Sequence, residues 1–263
     1  RANQYSISLT NSSSSVVSEN TVTASGGAIG LSQSTNNSIQ GNRIFDSQRC
    51  ILIDGSTGNT ISKNTIANCE EAISLSDSSG NEVTENSLEN NPNGISLAGS
   101  SGNNVMANSV RNSTYAIGLS QSSGNIVVQN SLTGNQYGTS LANSYVNSIA
   151  GNIITSTNYA ISLSQSSDNA ITENYLGGNQ YGMYLLYSSG NSILQNRFAF
   201  NNIQISALES VNTWDDISQN GGNYWSDYQT KYPDAKETDG TGIWDTPYVI
   251  DESNQDNHPL VNG

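Results

Sequence analysis

A period of 22 residues runs from Tyr5 to Asn202 without insertion or deletion. It constrains the fold more than any other feature, because a fixed period of this length marks a stacked array rather than a set of globules. The stretch Tyr159 to Gln180 shows the unit: Tyr-Ala-Ile-Ser-Leu-Ser-Gln-Ser-Ser-Asp-Asn-Ala-Ile-Thr-Glu-Asn-Tyr-Leu-Gly-Gly-Asn-Gln. One apolar row reads Ile7, Ile29, Ile51, Ile73, Ile95, Ile117, Thr139, Ile161, Met183 and Ile205, and a second, two residues on, runs from Leu9 to Leu185. A third row runs from Val17 to Ile193 and a fourth from Val22 to Phe198.

Two polar rows keep the same step. One is Asn20, Asn42, Asn64, Asn86, Asn108, Asn130, Asn152, Asn174 and Asn196; the other runs Asn37, Asn59, Asn81, Asn103, Asn125, Asn147, Asn169 and Asn191, with Ser15 as its first member. The Ile-x-Leu alternation is a strand signal. Each apolar run is short and bounded by Ser, Gly and Asn, which form turns. No stripe at i, i+3, i+4 persists, and the abundance of Gly, Ser and Asn opposes a helix. The expected fold is therefore all-β: a parallel β-helix, or β-solenoid, of about nine coils with two or three short strands each. One coil cannot bury its own apolar face, but stacked coils can, and nine would span ~43 Å. An inward Asn on such a stack can hydrogen-bond to the Asn above and below, so both Asn rows read as structural ladders.

The motif Gly94-Ile-Ser-Leu-Ala-Gly-Ser-Ser-Gly-Asn-Asn-Val-Met-Ala-Asn-Ser-Val110 resembles the NosD-like parallel β-helix repeats, also found among carbohydrate-binding and sugar-hydrolysis proteins. The resemblance covers about residues 5–210. It implies the fold and says little of function, because this architecture hosts lyases, hydrolases, epimerases and surface proteins.

The composition shifts at the end of the array. Residues 1–210 read as solenoid, and 211–263 as an irregular capping segment that holds all three tryptophans and three of the four prolines. The tail contains Gly221-Gly-Asn-Tyr-Trp-Ser-Asp-Tyr228, Asp239-Gly-Thr-Gly-Ile-Trp-Asp-Thr-Pro-Tyr-Val-Ile-Asp251 and Asn254-Gln-Asp-Asn-His-Pro-Leu260. It resembles the segment that follows such repeats in surface proteins of methanogenic archaea. Asp239 and Asp245, with Asp234 and Glu237, are hard oxygen donors in a Gly-rich loop and are the candidate Ca²⁺ ligands. Thr241 and Trp244 stand where that pattern often has Asp and Gly, which weakens the site; a cap with no cofactor is the preferred reading.

Net charge is −14, and the eight Lys and Arg form no cluster, so nucleic acid is excluded as a partner. No apolar run is long enough to span a membrane. Nor does an apolar leader open the chain at Arg1, as expected of a mature secreted or cell-envelope protein. The sequons at Asn11, Asn36 and Asn112 would permit glycosylation, though chance matches are common in a chain this rich in Asn and Ser.

Both cysteines fall in one coil. Cys50 replaces the small residue found as Ala28, Ala72, Gly94, Ala116 and Gly138, and strict alternation beside inward Ile51 would point it outward. Cys69 lies above Ser47, which puts the two Cα atoms roughly 7–11 Å apart, at or beyond disulfide reach. An intramolecular bridge, cross-links between molecules and free thiols all stay open. Tyr115, Tyr137, Tyr159 and Tyr181 form a row that would stack as a ladder. Facing outward, it could also meet sugar rings or a neighbouring subunit.

A catalytic β-helix needs carboxylates gathered on one face, or a cation beside a metal site. The outward positions here are mostly Ser, Thr, Gln, Gly and Ala, so the expectation is that the chain is not an enzyme. The leading functional expectation is an extracellular envelope protein that assembles with its own copies, through strand edges and lateral contacts, into a sheath or surface layer like that of filamentous methanogens. The alternative is a secreted carbohydrate-binding or polysaccharide-modifying module, with glycans as partners. A NosD-like role in metal insertion lacks His and Met ligands.

Overall fold

The structure is a computed structural model, and it describes residues 5–216, 221–238 and 240–262. Three parallel sheets wrap one core. The first runs from Ile7–Thr10 to Ile203–Leu208 and has ten strands; the second runs from Val16–Ser18 to Ser192–Leu194 and has nine. The third runs from Thr21–Thr23 to Arg197–Ala199 and gains a tenth strand, Tyr224–Trp225, from the tail. Each residue pairs with the one 22 positions on, as in Ile73↔Ile95 and Val83↔Val105. The chain is thus the β-solenoid that the period implies.

Strands this short hold because like lies on like. The rows through Ile29, Ile39 and Ile44 are almost wholly excluded from solvent along the stack. At the corners the Asn ladders carry the polar load. Asn130 is typical: its Oδ1 accepts from the backbone N–H and the Nδ2 of Asn108. Its own Nδ2 donates to the carbonyls of Val105 and Val128 and to Asn152 Oδ1. Among the described residues, no buried side-chain polar atom of either Asn row is left without a partner, which is what a buried corner requires.

Two further ladders complete the corners. Ser34, Ser56, Ser78 and their successors to Ser210 each accept from the backbone N–H one coil below. A mixed row serves the third corner; there Ser113 N–H donates to Asn135 Oδ1 at 2.8 Å and Thr157 N–H to Asn179 Oδ1 at 2.9 Å.

The tail abandons the period yet keeps the ladders. Asn191 passes its bonds to Asn212, and Asn212 N–H donates to Asn254 Oδ1. On the other row, Asn196 hands on to Asn223, whose N–H donates to Asp256 Oδ2 at 2.7 Å. Trp225 extends the core column, stacked between Phe198 and Tyr248 with ring centroids 4.5 and 4.1 Å away.

One expectation fails at the cysteines. Cys50 points inward and is fully buried, as is Cys69. The strand Arg49–Asp54 turns a corner, and the pairing ladder skips position 50, passing from Arg49↔Glu71 to Ile51↔Ile73. A bend cancels the period of two, so both Cys50 and Ile51 face the core. The Cα atoms of Cys50 and Cys69 are 6.2 Å apart, and the two residues are joined by a disulfide within one molecule.

Thr139 is an exception inside the core. It stacks between Ile117 and Ile161, is fully buried, and its hydroxyl has no hydrogen-bond partner. A buried unpaired hydroxyl carries a desolvation penalty. Thr139→Val keeps the shape and removes the hydroxyl, and is expected to raise unfolding stability by about 1 kcal/mol, read from chemical denaturation. A second local cost sits at Val146. Most coils place Gly, Asn, Ser or Asp there, and Val146 adopts φ 58°. A β-branched residue in the left-handed region is strained by about 1–2 kcal/mol. Val146→Gly is expected to gain roughly 1 kcal/mol net of the added chain entropy, again by denaturation.

Candidate functional site

The outer face of the first sheet carries three rows of side chains. The row nearest the corner reads Arg49, Glu71, Asn93, Tyr115, Tyr137, Tyr159 and Tyr181 in direct register. The tyrosine rings stack 4.8, 5.0 and 4.9 Å apart and within 11° of parallel. Burial, and then the neighbouring phenols, hold the Tyr137 hydroxyl pKa above its usual value. A ring inside such a stack has both faces occupied. Tyr115 ends the stack: Tyr137 covers one face, and the next residue in the row is not a ring but Asn93. Tyr115 is also 40% exposed.

Beside Tyr115 lies a groove of about 300 Å³, lined by Asn93, Ser96, Gly118, Ser120 and Ser140 over a floor that includes Leu119. Gly118 opens it. A side chain at this position would project into free space, whereas the equivalent rungs carry Leu52, Ser74, Ser96 and Ser140. The lining supplies hydroxyls, one amide and one aromatic face, and no charged group. On the same row, Glu71 pairs with Arg49 at 3.3 Å.

The tail holds a second cavity, of about 280 Å³, between the last coil and Asp227, Lys231 and Tyr248. Its polar groups are spent on one another. Asp227 accepts from Gln204 Nε2 at 3.1 Å and from Tyr248 Oη at 3.0 Å. Lys231 donates to the Val249 carbonyl and lies 4.1 Å over the Tyr248 ring. They fasten the tail to the coil.

Of the candidate calcium ligands, Asp239 lies outside the described residues. Asp245 closes its own loop, accepting from Lys236 N–H and the Thr246 hydroxyl at 3.0 Å each. Those bonds, that from Lys236 foremost, hold its carboxyl pKa below the usual value. Glu237 Oε1 accepts from Gly242 N–H. Among the described residues, no three His, Cys, Asp or Glu side chains are gathered as a metal site.

Residues 1–93 and 71–230 match the family described as periplasmic copper-binding protein (NosD). The chain belongs to the NosD family. Copper sites draw on thiolate, thioether and imidazole donors. In this NosD-family chain Cys50 and Cys69 are bonded to each other, Met183 is sealed in the core, half-buried Met106 lies on a strand of the second sheet, and His258 Nδ1 is held by Asp215 at 2.5 Å. These donors are scattered, and the residues present do not fit a copper centre.

No curated protein matches the chain in sequence. Solved structures do match in fold. The periplasmic alginate epimerase AlgG superposes with a TM-score of 0.55 at 16% identity, over 72% of this chain and 49% of that one. DFA-IIIase from Arthrobacter chlorophenolicus A6 in complex with GF2 gives 0.54 at 14%, over 76% of this chain and 66% of that one. A DFA-IIIase mutant in complex with DFA-III gives 0.52 at 15%, over 71% and 50%. The chain thus spans about half the length of the epimerase. At such identities the likeness shows the fold alone, but it corrects the expectation that the chain is not an enzyme. That expectation took a weakly charged solenoid for a purely structural scaffold, and these solved solenoids of like fold are enzymes. Among the described residues, no helix is long and apolar enough to cross a membrane.

Sequence reasoning singled out the tyrosine row but treated its members as equivalent. Their difference was readable at 22-residue spacing, since Asn93 precedes Tyr115 and Gly118 replaces Ser in the neighbouring row.

Proposed function

We propose that this chain is the β-helix of a polysaccharide-active protein working outside the cytoplasm, and that the glycan lies against the outer face of the first sheet. The observation that carries this reading is the Tyr115 ring, 40% exposed at the end of its stack, beside a groove lined by hydroxyls and an amide. A sugar ring presents axial C–H groups on one face and hydroxyls at its rim. An aromatic face attracts the former, and short polar side chains bond the latter. The periplasmic family description supports the location outside the cytoplasm, and the enzymes of like fold, an alginate epimerase and DFA-IIIase, support the glycan.

The test is a polysaccharide and oligosaccharide binding screen with the folded chain, followed by NMR of any bound glycan for chain cleavage or inversion at a ring carbon. Binding to at least one glycan is expected, weakened by Tyr115→Ala and spared by Tyr159→Ala with respect to direct ring contact, because Tyr159 is covered on both faces. A folded chain that binds no glycan in the screen would sink the reading.

A further inference from the structure

The groove beside Tyr115 differs from what an acidic polysaccharide needs. We propose that it selects an uncharged glycan, built of neutral hexoses or pentoses, and discriminates against polyuronates. The proposal rests on the reading above and narrows its substrate class.

A uronate chain carries one carboxylate per sugar. Binding it calls for cations or a rich set of N–H donors, since a carboxylate stripped of water without a partner is costly. The groove offers neither. Its polar lining is Asn93, Ser96, Tyr115, Ser120 and Ser140. The basic residues lie elsewhere. Arg43, Arg111 and Arg197 belong to strands of the third sheet. Lys63 sits 3.8 Å from Glu85, and Lys231 and Lys236 are in the tail. Among the described residues Arg49 alone shares the first sheet, and Glu71 claims it. The nearest charge on the Tyr115 row is therefore the Glu71 carboxylate, one rung beyond Asn93. A net charge of −14 adds long-range repulsion against a polyanion.

The positive features agree. Hydroxyls and a primary amide are donors and acceptors at once, which matches sugar hydroxyls. Gly118 leaves room at the floor for a ring to lie flat. Successive rungs repeat at the strand spacing of ~4.8 Å, close to the length of one sugar along a chain.

Gly118 also supplies the decisive variant. Its backbone is outside the left-handed region, its missing side chain points into open space, and the same row tolerates Leu52 and Tyr184. Gly118→Leu should fill the groove and leave the fold unchanged. Isothermal titration of the full chain would use neutral oligosaccharides (gluco-, xylo-, manno- and fructo-series) and oligouronates of alginate and polygalacturonate, at low and high salt. The expected result is binding of a neutral series, with little salt dependence, weakened at least tenfold by Gly118→Leu and by Tyr115→Ala. An oligouronate bound in a Gly118→Leu-sensitive manner overturns the neutral-glycan inference and leaves the proposed function standing. Neutral binding indifferent to Gly118→Leu overturns the groove as its place. Absence of binding to either class overturns the proposed function itself.

Discussion

Asn130→Ala is expected to lower unfolding stability by about 4–6 kcal/mol, as for any interior member of its ladder. The estimate follows from the number of buried partners left alone, each costing about 1–3 kcal/mol. The Asn108 N–H loses its acceptor, the Val105 and Val128 carbonyls lose a donor, and Asn152 Oδ1 loses one of its two donors from the coil below. No water can replace the amide, because Asn130 and its neighbours Asn108 and Asn152 are almost wholly buried. Asn20, at the first rung, is only partly buried and makes fewer such bonds. Asn20→Ala should cost no more than about a third as much. Guanidinium denaturation of the two variants side by side checks the contrast. Equal losses would show that the ladder is not a continuous buried network.

Asp256 should make stability fall as the pH rises. This carboxylate takes the place of an Asn at the end of a ladder, where it accepts from Asn223 N–H, the Trp225 indole and His258 N–H. Burial nevertheless dominates and pushes its pKa up to about 6 from an ordinary 3.8. A carboxyl with a raised folded-state pKa is protonated more readily folded than unfolded. Its favourable contribution is therefore complete below the unfolded pKa and is lost as pH climbs through about 4 to about 6. The shift corresponds to about 3 kcal/mol. Asp256→Asn has no such proton. The stability difference between the natural chain and this variant is expected to change by about that amount between pH 4 and pH 7, then stay level. Parallel curves across that range would remove Asp256 as the cause.

How much of this was legible in the sequence depends on what kind of regularity encodes it. The solenoid, its register and two Asn ladders repeat at one spacing, so each row announces its own neighbours. The Ser34-to-Ser210 row repeats just as strictly, but Ser is so common here that the row is hidden by its own abundance. Cys50 misleads for a geometric reason, because the rule of alternating faces fails where a strand bends. In the tail the contacts of Asn212, Asn223, Asn254 and Asp256 with the ladders are unreadable by period, since the intervals are irregular and only folding aligns them. The groove lies between these cases. Its residues sit on visible rows, yet what matters is the interruption of two rows at adjacent rungs, at Asn93 and Gly118, which no single row displays.

The interchangeable inner surface of the rungs has a consequence for how such a molecule changes length. Since each coil meets only the one before and the one after, excising a whole unit, such as residues 138–159, would rejoin matching partners on every row and draw the tail nearer to Tyr115. The molecule behaves as a ruler graduated in coils. The distance from the Tyr115 rung to the tail can be reset by duplication or loss of one graduation, with neither of them redesigned.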